Sequence, residues 1–145
     1  IGKFIRTQNN EDGINRTVEF AKEDFSGLCF VNLVDFDMLY GHRNDVDGYA
    51  KAMTYFDRRL PEITALLHDD DILMITADHG CDPSTPSTNH SREYTPWLIY
   101  GKHVKAGVNL GTRPTFSDIS ATVLEYFHVP PKIEGKSVLS QFYQE

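Results

Sequence analysis

Leu28-Cys29-Phe30-Val31-Asn32-Leu33-Val34-Asp35-Phe36-Asp37-Met38-Leu39-Tyr40-Gly41-His42-Arg43 is an apolar run that ends abruptly in carboxylates and a histidine. The run lies between Gly27 and Asp35, and its length and its β-branched Val31 and Val34 predict a strand buried on both faces. Ile72-Leu73-Met74-Ile75-Thr76-Ala77 repeats the pattern and runs straight into Asp78-His79-Gly80. Trp97-Leu98-Ile99-Tyr100, closed by Gly101, reads as a third strand. Between the first two runs, Tyr49, Met53, Phe56, Leu60, Ile63 and Leu67 recur every three or four residues, which predicts a helix from Asp45 to about His68. Pro61 falls inside it and predicts a kink or a break there.

Further out, Ile14 and Val18 suggest a short helix over residues 13–24, while the polar stretch from Ile1 to Asn10 has no assignable pattern. Ser117 or Asp118 is placed to cap a helix running to Phe127, and residues 135–142 read as a turn followed by a short apolar stretch. Strand, helix, strand, loop, strand, helix is the rhythm of an α/β fold, an open sheet with helices on its faces.

The composition narrows the partners. The chain has 145 residues, 40% of them hydrophobic, and a formal net charge of −7, so it can bury a core but disfavours nucleic acid or an anionic membrane. An acidic surface also repels a phosphorylated substrate unless local cations outweigh it. No stretch approaches the roughly 18 apolar residues of a membrane span. Cys29 and Cys81 have no paired spacing and read as two free thiols of a reducing cytoplasm, with Cys29 a small hydrophobe inside its run. The first residues show neither an initiator Met nor a secretory segment, which suits a chain starting partway through a larger protein.

The chemistry gathers at the strand ends, where open α/β sheets bind ligands. Asp37 and His42 follow the first run, Asp78 and His79 follow the second, and His90 ends the long aperiodic loop over residues 78–94. Carboxylate oxygen with neutral imidazole suits zinc, manganese or iron, and no cysteine stands at these positions to suggest a structural zinc-thiolate site. Five such ligands are too many for one open site and too few to close two, which points to a two-metal centre with ligands elsewhere. Taken singly, each has a plainer reading as a turn residue or a loop histidine. Their joint placement is what singles them out. Asp35 is expected to support the site or the fold rather than bind metal, and His68, His103 and His128 are expected at the surface or at helix ends.

Ile75-Thr76-Ala77-Asp78-His79-Gly80 resembles the strand-then-Asp-His-Gly motif of the alkaline phosphatase superfamily. Thr88-Asn89-His90-Ser91-Arg92-Glu93-Tyr94-Thr95-Pro96 is similar to its last metal-histidine segment, Asp118-Ile119-Ser120-Ala121-Thr122 to its Asp-Ile-x-x-Thr helix, and Gly135-Lys136-Ser137-Val138-Leu139 to its closing turn. More narrowly, residues 32–43 with Asp45, Gly48 and Tyr49, and Phe56-Asp57-Arg58-Arg59-Leu60-Pro61, resemble the phosphopentomutase family. The resemblance implies that residues 1–145 are the C-terminal part of a three-layer α/β/α core, without the N-terminal core segment or the inserted cap domain. It implies that Asp37, His42 and His90 hold one metal and that Asp78 and His79 share the other, with manganese the usual ion. The phosphoryl-carrying threonine is then outside this chain, which alone should be inactive. The implied reaction interconverts ribose or deoxyribose 1-phosphate with the 5-phosphate, primed by glucose 1,6-bisphosphate. Arg43 and Arg92, each beside a ligand histidine, are candidates for phosphate contact or for surface ion pairs. A related metal-dependent phosphatase, a cofactor-independent phosphoglycerate mutase and a non-catalytic metal module are the alternatives.

Overall fold

The computed structural model describes residues 2–144. The chain forms two compact units. One contains the chain up to His68 together with His79–Pro96, and the other contains Asp69–Asp78 and everything from Trp97 onward.

In the first unit, α1 spans Asn10–Phe20. Asn9 caps it by accepting from the Asp12 amide at 2.8 Å, so the helix starts three residues earlier than the periodicity predicts. Residues 28–34 do not form the expected buried strand. Leu28, Phe30 and Val31 are exposed, Phe30 by 82%, and Cys29 is exposed with them rather than packed in a core. A strand needs a neighbour to complete its hydrogen-bond ladder, and among the described residues the sheet contains no partner for this run. Apolar content predicted the preference; the pairing decides the outcome.

The run ends on a firm anchor. Asp35 Oδ2 accepts from the Asn10 amide at 2.8 Å, and the Asp35 amide donates to Asn10 Oδ1 at 2.9 Å. Asn10 is buried, so this reciprocal pair ties the chain at Asp35 to the first turn of α1. Phe36–Tyr40 then forms a π-helical turn, and Gly41–Arg43 a 3-10 turn. Asn44 turns into the left-handed region with φ 54°. Asp45 caps α2, Val46–Thr64, by accepting from the Gly48 amide at 2.9 Å. A Cβ on Gly48 would lie 2.4 Å from the Tyr40 ring, so glycine lets α2 start hard against the π-helical turn. The helix does not break at Pro61. Proline removes only the bond to the carbonyl of Asp57, and that residue is exposed, where water can replace it.

In the second unit, β1, Leu73–Thr76, pairs antiparallel with β2, Trp97–Tyr100, setting Leu73 opposite Tyr100 and Thr76 opposite Trp97. The helices here are α3, Ser117–Tyr126, and α4, Leu139–Phe142. Neither Ser117 nor Asp118 caps α3, whose first turn follows Phe116 without a side-chain cap. Asp118 faces the opposite task. It is buried, accepts from the Lys136 amide at 2.8 Å through Oδ1, and binds the Arg113 guanidinium at 2.7 Å through Oδ2. One turn on, the Thr122 hydroxyl donates to the Asp118 carbonyl at 2.7 Å and accepts from the Val138 amide at 3.1 Å. The two residues of the Asp-Ile-x-x-Thr helix thus hold the closing turn, and Gly135 fits because a Cβ there would strike the Ser117 carbonyl. Ala121, Val138 and Phe142 complete this core. Among the described residues, no helix is long and apolar enough to cross a membrane.

The amide of Lys136 and then the Arg113 guanidinium hold the Asp118 carboxyl below its usual range. A depressed carboxylate stabilises the fold fully above its unfolded value of about 4 and loses that contribution as pH falls through the lowered folded value. We therefore expect Asp118→Asn to lower the melting temperature at pH 7, with the difference from the parent shrinking on acidification. Thr122→Val, which leaves the Val138 amide buried and unpaired, should cost about 1–3 kcal/mol in chemical denaturation.

Candidate metal centre

Asp37, His42, His79 and His90 come together within the first unit. Asp37 rides on the π-helical turn and His42 on the 3-10 turn that follows. A Cβ on Gly41 would stand 2.7 Å from Cys81 Sγ and 3.1 Å from the Phe36 carbonyl oxygen. Glycine therefore lets the two ligand-bearing turns pack directly on the segment that follows His79.

His90 arrives by a loop closed at its base. Gly80 and Ser91 pair as an isolated antiparallel bridge, with the Ser91 amide donating to the Gly80 carbonyl at 3.3 Å. The Asp82 amide donates to Ser91 Oγ at 2.7 Å. Gly80 has no room for a side chain, since a Cβ would meet the Glu93 backbone at 2.6 Å. This closure brings the His79 and His90 rings into a stack, 3.6 Å between centroids. The His42 ring lies 5.0 Å from that of His90.

All three imidazoles aim Nε2 at one carboxylate. His90 Nε2 is 3.4 Å and His79 Nε2 3.7 Å from Asp37 Oδ1, while His42 Nε2 is 3.4 Å from Asp37 Oδ2. The other ring nitrogen of two of them is already used. His42 Nδ1 lies 2.5 Å from the Thr88 carbonyl and His79 Nδ1 2.9 Å from the Gly80 carbonyl. A carbonyl accepts only, so Nδ1 of each carries a proton, which leaves Nε2 as the nitrogen able to bind a metal.

Asp37 Oδ1 is buried and has no hydrogen-bond partner. Such an oxygen costs free energy unless something positive meets it. Two ligand atoms about 2.1 Å from one zinc-like ion at a tetrahedral angle lie about 3.4 Å apart, which matches the spacing of this cage. Ligand atoms of Asp37, His79 and His90 all fall within 4.8 Å of one another. The donor set and its spacing fit a divalent cation.

The residues expected around two different ions thus share one carboxylate: His79 joins Asp37 and His90, and His42 takes the second oxygen. Asp78, two residues past β1, is exposed and belongs to the second unit. Arg43 and Arg92 are exposed, and among the described residues neither makes an ion pair. Cys81, read from the sequence only as a free thiol, packs beside the cage. Burial, and then the charge of Asp37, pushes its thiol above the usual range and keeps the sulfur a neutral packing neighbour.

A family model for the metalloenzyme superfamily matches residues 2–131. The chain belongs to the metalloenzyme superfamily. Its fold is accordingly part of an alkaline-phosphatase-like α/β domain. It is 60% identical over 141 residues to a phosphopentomutase of Lachnoclostridium phytofermentans, covering 97% of this chain and 36% of the relative. A phosphopentomutase of Acetivibrio thermocellus is 58% identical over 139 residues, 96% of this chain and 36% of the relative. One from Carboxydothermus hydrogenoformans is 59% identical over 127 residues, 88% and 33% respectively. The chain spans about a third of the length of the curated relatives it matches.

Removing an outer-shell partner alone weakens metal binding roughly 10–100-fold, and a direct ligand matters more. Asp37→Ala should therefore weaken Mn2+ or Zn2+ binding by more than about 100-fold, and His90→Ala by at least about tenfold, in calorimetric titrations.

Proposed function

We propose that this chain is the metal-binding part of a phosphopentomutase, which interconverts ribose or deoxyribose 1-phosphate with the 5-phosphate. The observation that carries this reading is the 60% identity over 97% of the chain, which takes in the cage and the segments around it. Chemistry supports it. With a net charge of −7, the chain offers a phosphorylated sugar little attraction of its own.

Asp37, His42, His79 and His90 would hold the metal, and Asp78 is carried as a ligand of a second ion on its sequence motif alone. Two divalent ions, manganese in this reading, supply positive charge to the oxygens of a phosphoryl group in transfer. The chain's own part is to turn Nε2 of His42 and His79 towards the carboxylate and to keep Asp37 Oδ1 out of water. Arg43 and Arg92 are exposed cations flanking His42 and His90, suited to meeting a phosphate. The threonine that carries the phosphoryl group, the sugar-recognising region and the remaining ligands are assigned to the rest of the polypeptide. Glucose 1,6-bisphosphate is assigned as primer and the cytoplasm as location.

The complete polypeptide decides between transfer to sugar and transfer to water. With Mn2+, ribose 5-phosphate and a trace of glucose 1,6-bisphosphate, ribose 1-phosphate should appear without matching release of inorganic phosphate. Stoichiometric phosphate with no ribose 1-phosphate would make the protein a phosphatase.

A further inference from the structure

The cage depends on a loop whose internal hydrogen bonds are all short-range, Asp82 accepting from Ser84 and Thr85 and Ser87 Oγ from the Asn89 amide. Residues 81–90 form no helix or strand, and the bridge at Gly80 and Ser91 fixes only the base. Yet the loop must present two things accurately. One is His90, and the other is the Thr88 carbonyl that orients His42.

Asn44 meets the loop from the other side. Its Nδ2 lies 3.3 Å from the Pro83 carbonyl and 3.1 Å from that of Ser87, and it also bonds the Thr85 carbonyl between them. Three acceptors at alternate residues converge on one amide nitrogen with two hydrogens, so one bond is shared. Chemistry fixes the orientation of the side chain, since the amide oxygen in that place would face three carbonyl oxygens. The backbone helps in turn. The left-handed conformation at φ 54° is one that asparagine tolerates, and it follows directly on the 3-10 turn that carries His42.

We propose that Asn44 is a positioning residue of the metal cage, clamping the loop over residues 83–87 so that His90 and the Thr88 carbonyl reach their places. It touches no ligand atom and acts by fixing the loop to the same turn that bears His42. The inference rests on the metal reading of the cage.

Two substitutions suited to the left-handed backbone test it in the complete polypeptide. Asn44→Gly removes the clamp, and Asn44→Asp keeps its shape but replaces the donors with an acceptor facing three carbonyls. We expect Mn2+ affinity to fall about 10–100-fold in both, the usual effect of losing an outer-shell partner. In the metal-free protein, amide exchange at Thr85 and Ser91 should quicken, and the Nδ1–H resonance of His42 should lose its protection. A purely structural role would lower the melting temperature without moving that resonance. Asn44→Gly with Mn2+ affinity within about twofold of the parent overturns the proposal, as does an unchanged His42 resonance. If the parent itself binds no Mn2+, the metal reading fails, and the His42 resonance and loop exchange still decide whether the clamp exists.

Discussion

The first unit is organised around a carboxylate oxygen that has nowhere else to go. Asp37 Oδ1 is buried without a hydrogen bond and faces the Nε2 atoms of His79 and His90. An arrangement of this kind is costly in an empty fold and favourable around a cation, so the surrounding structure has to impose it. The imposition is visible along the chain. Asp35 is tied to Asn10, Gly41 lies against Cys81, and Gly48 admits the Tyr40 ring. Each fixes one end of the irregular turns that carry Asp37 and His42. A π-helical turn, often found at functional sites, re-aims side chains in a way that a regular helix over the same residues would not.

The second unit solves a different problem, that of closing a short chain segment without a large core. Asp118 and Thr122 are both buried and polar, and every hydrogen bond described for them ends on a neighbour within the unit. Because Asp118 and Thr122 lie one helical turn apart, they face the same side of α3 and can grip the closing turn at two points. The resemblance to two separate superfamily motifs, a helix and a distant turn, therefore describes one interaction.

Much of this could be read from residue types alone, and the failures have physical causes. Asp37, His42, His79 and His90 drew attention because carboxylates and imidazoles cluster at the ends of apolar runs, and the structure brings the two pairs together although α2 lies between them in the chain. That His79 stacks on His90 was not legible, since sequence spacing carries no ring geometry. Residues 28–34 were misjudged because strand preference says nothing about whether a partner exists. Pro61 was misjudged because the cost of a helical proline depends on whether the carbonyl it orphans reaches water. Asn44 left no signal at all. Its role comes from three carbonyls converging from a loop some forty residues away, a coincidence of space that has no one-dimensional trace.

The acidity of the chain and the make-up of its cage belong to one electrostatic argument. At −7, this chain repels phosphate, and the cage adds the Asp37 carboxylate while Thr88 and Gly80 hold His42 and His79 with Nε2 turned towards it. Left without a cation, this is a poor place for an anion. With a divalent ion, the sign of the local field reverses while the surface stays acidic, so attraction is confined to a few ångströms around the ligands. Anions that cannot reach the ion are still turned away. On the proposed reading this favours a phosphoryl group that can approach closely, on a small sugar, over a bulky polyanion such as nucleic acid. The acidic surface and the carboxylate-imidazole cage then work as a single filter.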